Sequence, residues 1–423
     1  MEYIKKSAPN VTVMSQEIKD TVSRIISDVE REGVAAVRRY SEKFDGWNPA
    51  SFRLSAQEIE QSIATVDADT RRPIDFSITQ VKKFAQAQRD TLTDFELETL
   101  PGVTLGQKQI PVGAVGSYIP GGRYPIMAAA AMTIGVPKVA GVKRIVACAP
   151  IQRGTHGINP AQLYGMVQSG ANEIFTIGGA QAMAAMAFGI EDAPPLEAVD
   201  MIVGAGNAFV AEAKRQLFGV VGIDLLAGPT EICILADETA DPEVIAADLL
   251  AQAEHGTNSQ SILVTSSRDI AEATLLEIER QLKILPTADA AGQSWRELGE
   301  VILVADDEEM LKVSDQIASE HLEVQTRDPK WYLERLTNYG SLFLGHNATV
   351  VYGDKGIGTN HVLPTIRAAR YTGGLWVGKF IKTVTWQDAT AAGNMQVAPF
   401  AVAMADHEGM AGHAASARLR IKD

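Results

Sequence analysis

Cysteine is scarce in this chain: its 423 residues hold two, Cys148 and Cys233. They lie far apart, each in a strand-like apolar run, which predicts two buried free thiols. A disulfide framework or a thiolate metal site is not expected from such usage. Positive charge is also short, with 38 Lys+Arg against 52 Asp+Glu and a net charge of −14. Nucleic acids and anionic membranes require a basic face, so neither is an expected partner. A small anionic substrate stays open, because one or two well-placed cations can hold it. No apolar run follows Met1-Glu2-Tyr3-Ile4-Lys5-Lys6, where a secretory signal would need one. The best apolar stretch, Pro125 to Val136, falls short of the ~20 residues that cross a bilayer. A soluble, cytoplasmic protein is the expectation. Histidines number seven, and no HExxH or HxxxH pairing is present.

What is present is material for a large core: 46% hydrophobic and 21% charged residues. The length allows two or more globular units. The first hundred residues read as helical. Ile18, Val22, Ile25, Ile26 and Val29 recur at helical spacing up to Gly33. Ser55 and Glu58 form a capping box, and a longer helix is predicted from about Pro73 to Gln88. Short apolar strands then alternate with helices. Strands are predicted at Arg144–Ala149, Glu173–Ile177, Asp200–Val203, Glu231–Ala236, Ser261–Thr265, Val301–Val304, Leu322–Gln325, Ser341–Leu344 and Thr349–Tyr352. This is the pattern of βα units with mainly parallel sheets, and the strands are too many for one ordinary sheet. Two α/β domains are therefore expected. No low-complexity segment or internal repeat is visible. From about Trp376 the chain changes character, which suggests an arm that packs on another domain or subunit.

The glycine turn Tyr118-Ile119-Pro120-Gly121-Gly122 follows an apolar run, and Gly178-Gly179-Ala180-Gln181 and Gly204-Ala205-Gly206-Asn207 follow predicted strands. Such turns admit a phosphate to backbone N–H groups at a helix N-terminus. Each alone reads better as a plain βα connection, three together point towards a ligand, and Phe209 stands where a Rossmann fingerprint has its third glycine. His255 ends a helix capped by Asp241 and opened by Pro242, and Gln252 shares its face. The pair could be half a metal site, or a histidine favouring a helix C-terminus. Glu320-His321 places a carboxylate beside an imidazole at a strand start, which is acid–base equipment or a solvated pair. The loop from Asp354 to His361 is rich in Gly, Asp and Asn, the composition of many functional loops and also of plain surface turns. His413, five residues after Glu408, carries no signal by itself.

Taken together, these segments resemble one family. Tyr118–Gly122, Gly178-Gly179-Ala180-Gln181-Ala182, Gly206-Asn207 and Ala227-Gly228-Pro229-Thr230-Glu231 come first. Asp248-Leu249-Leu250-Ala251-Gln252-Ala253-Glu254-His255-Gly256, Ser319-Glu320-His321-Leu322, Gly358–Thr365 and Glu408-Gly409-Met410-x-x-His413 follow in the order found in histidinol dehydrogenases. The resemblance runs from about Ser15 to Arg420. It implies a homodimer of intertwined subunits with a site shared between them and two incomplete Rossmann-like domains. It implies Zn2+ on Gln252, His255, Asp354 and His413, with His413 from the partner's tail. It implies NAD contacts at Tyr118, Gln181 and Asn207. His321 would be the general base and Glu320 would activate water, with Thr230, His361 and Glu408 at substrate contacts. The chemistry implied is an alcohol oxidised through an aldehyde to an acid.

The resemblance also implies a division of the chain. An N-terminal segment, 1–18, precedes a first α/β domain of 19–117 with 231–375, bearing zinc and catalytic residues. A second α/β domain, 118–230, bears the NAD contacts, and 376–423 forms the tail. Some positions depart from the histidinol enzymes: Arg123-Tyr124-Pro125 after the first glycine pair, Thr230 for Ser, and Arg367-Ala368-Ala369-Arg370. Guanidinium groups suit a sulfonate or carboxylate better than a cationic alcohol. The pattern is similar to that of the sulfopropanediol 3-dehydrogenases of the same family, so (R)-2,3-dihydroxypropane-1-sulfonate is the expected substrate, with Arg367 and Arg370 as candidate sulfonate contacts. Both arginines read also as surface residues of an acidic protein. The alternatives are histidinol itself and, from another class, a non-catalytic zinc- or nucleotide-binding scaffold.

Overall fold

The computed structural model describes residues 1–7, 15–121, 125–226 and 228–421. The chain opens with strand β1 (Glu2–Lys5) and four helices: α1 (Gln16–Glu32), α2 (Val34–Asp45), α3 (Ala56–Ala64) and α4 (Ala68–Asp90). Ser15 caps α1 and Gly33, at φ 57, ends it. Ser55 and Glu58 make the reciprocal capping box at α3. A hairpin of β2 (Phe95–Leu100) and β3 (Val103–Pro111) follows.

The first sheet is built from β4 (Ala114–Tyr118), α5 (Val136–Ala140), β5 (Arg144–Cys148), α6 (Pro160–Ser169), β6 (Glu173–Phe175), α7 (Gly179–Phe188), β7 (Met201–Val203), α8 (Ala208–Leu217) and β8 (Gly222–Ile223). Its strands are all parallel, in the order β6-β5-β4-β7-β8. Counted from β4 this is 3-2-1-4-5, a Rossmann sheet lacking its sixth strand. Alanine-rich α7 is buried along nearly its whole length, because small side chains let it lie between the sheet and the helices outside it.

The second sheet is built from β9 (Glu231–Ala236), α9 (Pro242–Ala253), β10 (Gln260–Thr265), α10 (Arg268–Leu282), α11 (Ala288–Leu298), β11 (Glu300–Leu303), α12 (Asp307–Ile317), β12 (His321–Gln325), α13 (Pro329–Leu333) and β13 (Ser341–Leu344). Its order is β1-β11-β10-β9-β12-β13, with β1 antiparallel at the edge and the other pairs parallel. Counted from β9 the parallel strands again run 3-2-1-4-5. The fold is therefore the expected α/β pair of incomplete Rossmann-like sheets, and one topology occurs twice with no repeat visible in the sequence.

Two features differ from the sequence reading. Thr349–Tyr352, predicted as a strand, opens the short helix α14 (Val350–Lys355). The helices within 19–117 do not lie with 231–375. α1 and α2 pack on α7 and α8, where Val22, Ile25 and Val29 join the core around Phe175 and Met183. α4 packs on α5 and α6 through Ile74, Ile78 and Val81. Their apolar stripes find most of their partners among the first sheet's helices, which decides their allegiance, and the α4 cluster also takes in Val362 and Leu375. The tail forms β14 (Ile381–Ala389), α15 (Ala391–His407) and α16 (Ala411–Arg418). β14 pairs with β3 in a three-stranded antiparallel arm. Both cysteines are buried free thiols, and among the described residues no helix is long and apolar enough to cross a membrane.

Candidate active site

The three glycine turns follow β4, β6 and β7 at the C-terminal edge of the first sheet. β4 and β7 meet at its topological switch, the usual ligand crevice of open α/β sheets. Gly204, at φ 124, ends β7 against Tyr118: a Cβ there would stand 2.2 Å from the Tyr118 carbonyl oxygen. The Tyr118 hydroxyl accepts the Gly179 N–H at 3.1 Å, and burial pushes its pKa up to about 12. Gln181 is buried with its Nε2 unpartnered. Asn207 is exposed at the N-terminus of α8, where its Oδ1 accepts the N–H groups of Phe209 and Val210. A buried ion pair, Lys214–Asp224, grips the Gly204 turn. Asp224 accepts the Gly204 N–H at 2.8 Å, and Lys214 donates to the Gly204 carbonyl at 2.9 Å.

The second sheet uses its opposite edge. Thr230-Glu231 precedes and opens β9, and Glu320-His321 precedes and opens β12, side by side at that sheet's own switch. The Thr230 hydroxyl donates to Glu320 Oε2 at 2.5 Å, and the Glu231 N–H reaches the same oxygen at 3.0 Å. Gln252 Nε2 donates to the Thr230 oxygen. Thr230 thus has its donor committed and one acceptor site still open, and the Gln252 carbonyl oxygen is the free end of its amide. His321 Nδ1 lies 3.0 Å from the Glu231 carbonyl, which requires the proton on Nδ1. Nε2 is left as a buried, unpartnered acceptor. Burial lowers the His321 pKa, so the ring is neutral. Burial pushes the Glu320 carboxyl up to about 8, and burial with the neighbouring Glu320 charge pushes Glu231 up to about 7.

Asp354, in the last turn of α14, is the common neighbour of this group. His255, His321 and His361 are all held below the ordinary histidine range by burial, against the opposing pull of the Asp354 charge. Solvent still reaches His255, which stands two residues beyond the end of α9 at a rim. His361 Nδ1 faces the Asp354 carbonyl at 3.2 Å. Asn360 donates to the Met132 carbonyl at 3.1 Å, which ties this loop to the first sheet's domain.

One chain thus gathers Thr230, Gln252, His255, Glu320, His321, Asp354 and His361. Glu408 and His413 stand exposed on the tail, outside that gathering. Arg367 and Ile366 both have left-handed backbones, at φ 64 and 52, and fold over Gly228, whose N–H donates to Thr365 Oγ1. Arg367 lines a cavity of about 420 Å³ with Thr230, Glu231 and Glu300, and its guanidinium donates to the Gln316 carbonyl at 3.0 Å. Arg370 is exposed. Gly122, Arg123, Tyr124 and Ala227 lie outside the described residues. The sequence reading passed over Lys214, Asp224, Asp248 and Glu323 as buried polar groups beside the site. A signal existed for Asp248, which precedes Gln252 and His255 by one and two helical turns, and for Glu323, which alternates with His321 along β12.

The histidinol dehydrogenase family model matches residues 9–421. The chain belongs to the histidinol dehydrogenase family. A histidinol dehydrogenase homolog of Shouchella clausii is 51% identical over 100% of this chain and 99% of its own length. The sulfopropanediol 3-dehydrogenase of Ruegeria pomeroyi is 48% identical over 100% of this chain and 96% of its own. The crystal structure of histidinol dehydrogenase from Elizabethkingia anophelis superposes with a TM-score of 0.91 at 34% identity, covering 98% of this chain and 94% of that one.

The groups associated with this dehydrogenase family fit what is present. The free Gln252 carbonyl, the His255 imidazole and the Asp354 carboxylate are oxygen and nitrogen donors suited to zinc. Among the described residues no group of three or more His, Cys, Asp or Glu side chains is placed to hold a metal ion. The unpartnered Gln181 amide and the Gly204 turn at the switch suit a dinucleotide.

Proposed function

We propose that this protein performs a zinc- and NAD-dependent four-electron oxidation of a small polar alcohol, through its aldehyde, to a carboxylate. We take the substrate to be (R)-2,3-dihydroxypropane-1-sulfonate and the product sulfolactate. The observation that carries the reading is the unpartnered His321 Nε2 beside the Gln252–Thr230–Glu320 hydrogen-bond chain. Zinc on Gln252, His255, Asp354 and His413 of the partner subunit would supply a Lewis acid, and NAD held by Tyr118, Gln181 and Asn207 would accept the hydrides. The rest is the work of this chain's side chains. His321 takes the alcohol proton at Nε2, since its Nδ1–H is committed to the Glu231 carbonyl. Glu320 takes a proton from the water that attacks the aldehyde carbon. Its Oε2 is engaged by Thr230 and the Glu231 N–H, which leaves Oε1 for that proton. The alcohol and one water together give up two hydrides and three protons to become the carboxylate. Thr230, His361 and Glu408 of the partner subunit orient the substrate.

A homodimer completes the site in this reading. α15 exposes Met395, Val397, Phe400 and Met404 along an apolar groove of about 680 Å³, a face that a second copy would cover. Arg367, on the cavity that Thr230 also lines, and Arg370 on the next turn supply positive charge for the sulfonate. A second reading, histidinol as substrate, is favoured by Glu231 and Glu300 on the same cavity, since carboxylates suit a cation. One assay separates the two. Purified protein with zinc and NAD is given each alcohol, and NADH is followed. The sulfonate diol is expected to turn over with two NADH per molecule. Turnover of histidinol alone overturns the substrate, and one NADH per molecule overturns the four-electron course.

A further inference from the structure

Three elements carry the candidate ligands and the general base, and they meet at a layer of buried polar groups. On α9, Asp248 lies one and two turns before Gln252 and His255. On β12, His321, Glu323 and Gln325 alternate onto one face. On α14, Val350 opens the helix and Asp354 follows one turn later. Gln325 Nε2 donates to both Asp248 Oδ2, at 3.2 Å, and Glu323 Oε2, at 3.0 Å. The Thr349 hydroxyl does not cap its own helix and donates to Asp248 Oδ1 at 3.0 Å. The Val350 N–H, one of the orphan donors of α14, goes to Glu323 Oε1 at 3.1 Å.

The two carboxyls converge on one donor, since Asp248 Oδ2 and Glu323 Oε2 both accept from Gln325 Nε2, and Glu323 is fully buried. The other groups against them are neutral: the Gln325 amide, the Thr349 hydroxyl and the Val350 N–H. Among the described residues neither carboxyl has a cationic partner. Two carboxylates so placed would repel strongly in a low-dielectric interior, so the pair keeps one proton.

We propose that Asp248 and Glu323 share that proton and act as a clip that fixes α9, β12 and α14 against one another. Both are positioning residues: they touch the elements and not the reacting atoms. The shared proton joins α9 to β12, and the remaining oxygens take the first turn of α14, which carries Asp354. The consequence for zinc rests on the functional reading above. Burial holds both pKa values above the ordinary carboxylate range, in keeping with a retained proton.

The test uses full-length protein stripped of metal, with zinc affinity read by competition with a chromogenic chelator. Glu323→Ala strands the Val350 N–H and the Gln325 amide. It is expected to weaken zinc binding by about 10–100-fold while the circular dichroism stays that of a folded chain. Glu323→Gln offers a permanent N–H to Asp248 and a carbonyl to Val350, so it is expected to bind zinc within a few-fold of the parent. A second reading uses the metal-free melting temperature. A folded pKa raised above its unfolded value gives stability that is lost as pH rises. The parent should therefore lose melting temperature on alkaline titration, and Glu323→Gln should lose less. A folded Glu323→Ala protein with parental zinc affinity overturns the clip. If Glu323→Ala does not fold, equal pH slopes for the parent and Glu323→Gln overturn it. A parent that binds no zinc overturns the functional reading, while the melting comparison still decides the shared proton.

Discussion

Replacing Lys214 by Met tests whether the Gly204 turn is held by charge. The side chains of Lys214 and Asp224 are 3% and 0% exposed, so neither ion is hydrated. Together they occupy both the N–H and the carbonyl of Gly204, and Asp224 also accepts the Leu225 N–H at 2.7 Å. Lys214→Met removes two charge-assisted bonds and leaves a buried carboxylate held by two amides alone. Truncating one member of a buried pair costs about 3–5 kcal/mol, far above the 0–1 kcal/mol of a surface pair. Lys214→Met/Asp224→Asn removes the stranded charge and keeps an acceptor for the backbone. Its loss should fall well short of the sum of the single losses, with a coupling of about 1–3 kcal/mol. Urea unfolding of the three variants gives these values. Because the turn abuts Tyr118, the KM for NAD should rise in Lys214→Met with a smaller change in kcat. A Lys214→Met loss below about 1 kcal/mol, or single losses that simply add, would refute the reasoning.

Further outcomes follow from the same geometry. If the unpartnered Nε2 serves as the proposed base and holds no zinc, His321→Ala should lower kcat by about 10²–10⁴-fold in steady-state NADH assays while zinc content stays parental. Burial raises the pKa of both thiols, so Cys148 and Cys233 should resist iodoacetamide in the native protein and react only after unfolding, as read by mass spectrometry. If His413 serves the other subunit's site, inactive His255→Ala and inactive His413→Ala proteins should regain activity when unfolded together and reassembled, since a mixed dimer then holds one intact site. Absence of recovery, with dimers present by light scattering, would exclude a shared site.

The strands Glu231–Ala236 and Leu322–Gln325 were legible because buried parallel strands read as short apolar runs between turn residues. The capping box at Ser55 was legible because its partners are three residues apart. Thr349–Tyr352 misled for the opposite reason. Its β-branched, apolar composition favours a strand, but the donors of its first turn are taken by Asp248 and Glu323, remote in sequence. The allegiance of α1 and α2 was hidden likewise: periodicity shows that a helix has an apolar stripe and not which sheet receives it.

For the site, local sequence carried the residue types and their order, which was enough to bring out the family from the joint pattern. Glu320-His321, Gln252 with His255, and the Asp354–His361 loop could each be read from a few neighbouring letters, since chemistry is written in side chains. Their convergence could not. The second sheet offers the N-terminal edge of its switch where the first offers its C-terminal edge, and only the pairing of strands remote in sequence sets those edges. The neutral His321 ring, with its free Nε2, depends on a carbonyl from β9 and on burial by residues far along the chain. Sequence determined which groups are available. Tertiary structure decided their protonation, their tautomer and their partners, because those follow from desolvation and from contacts between elements that no local spacing encodes.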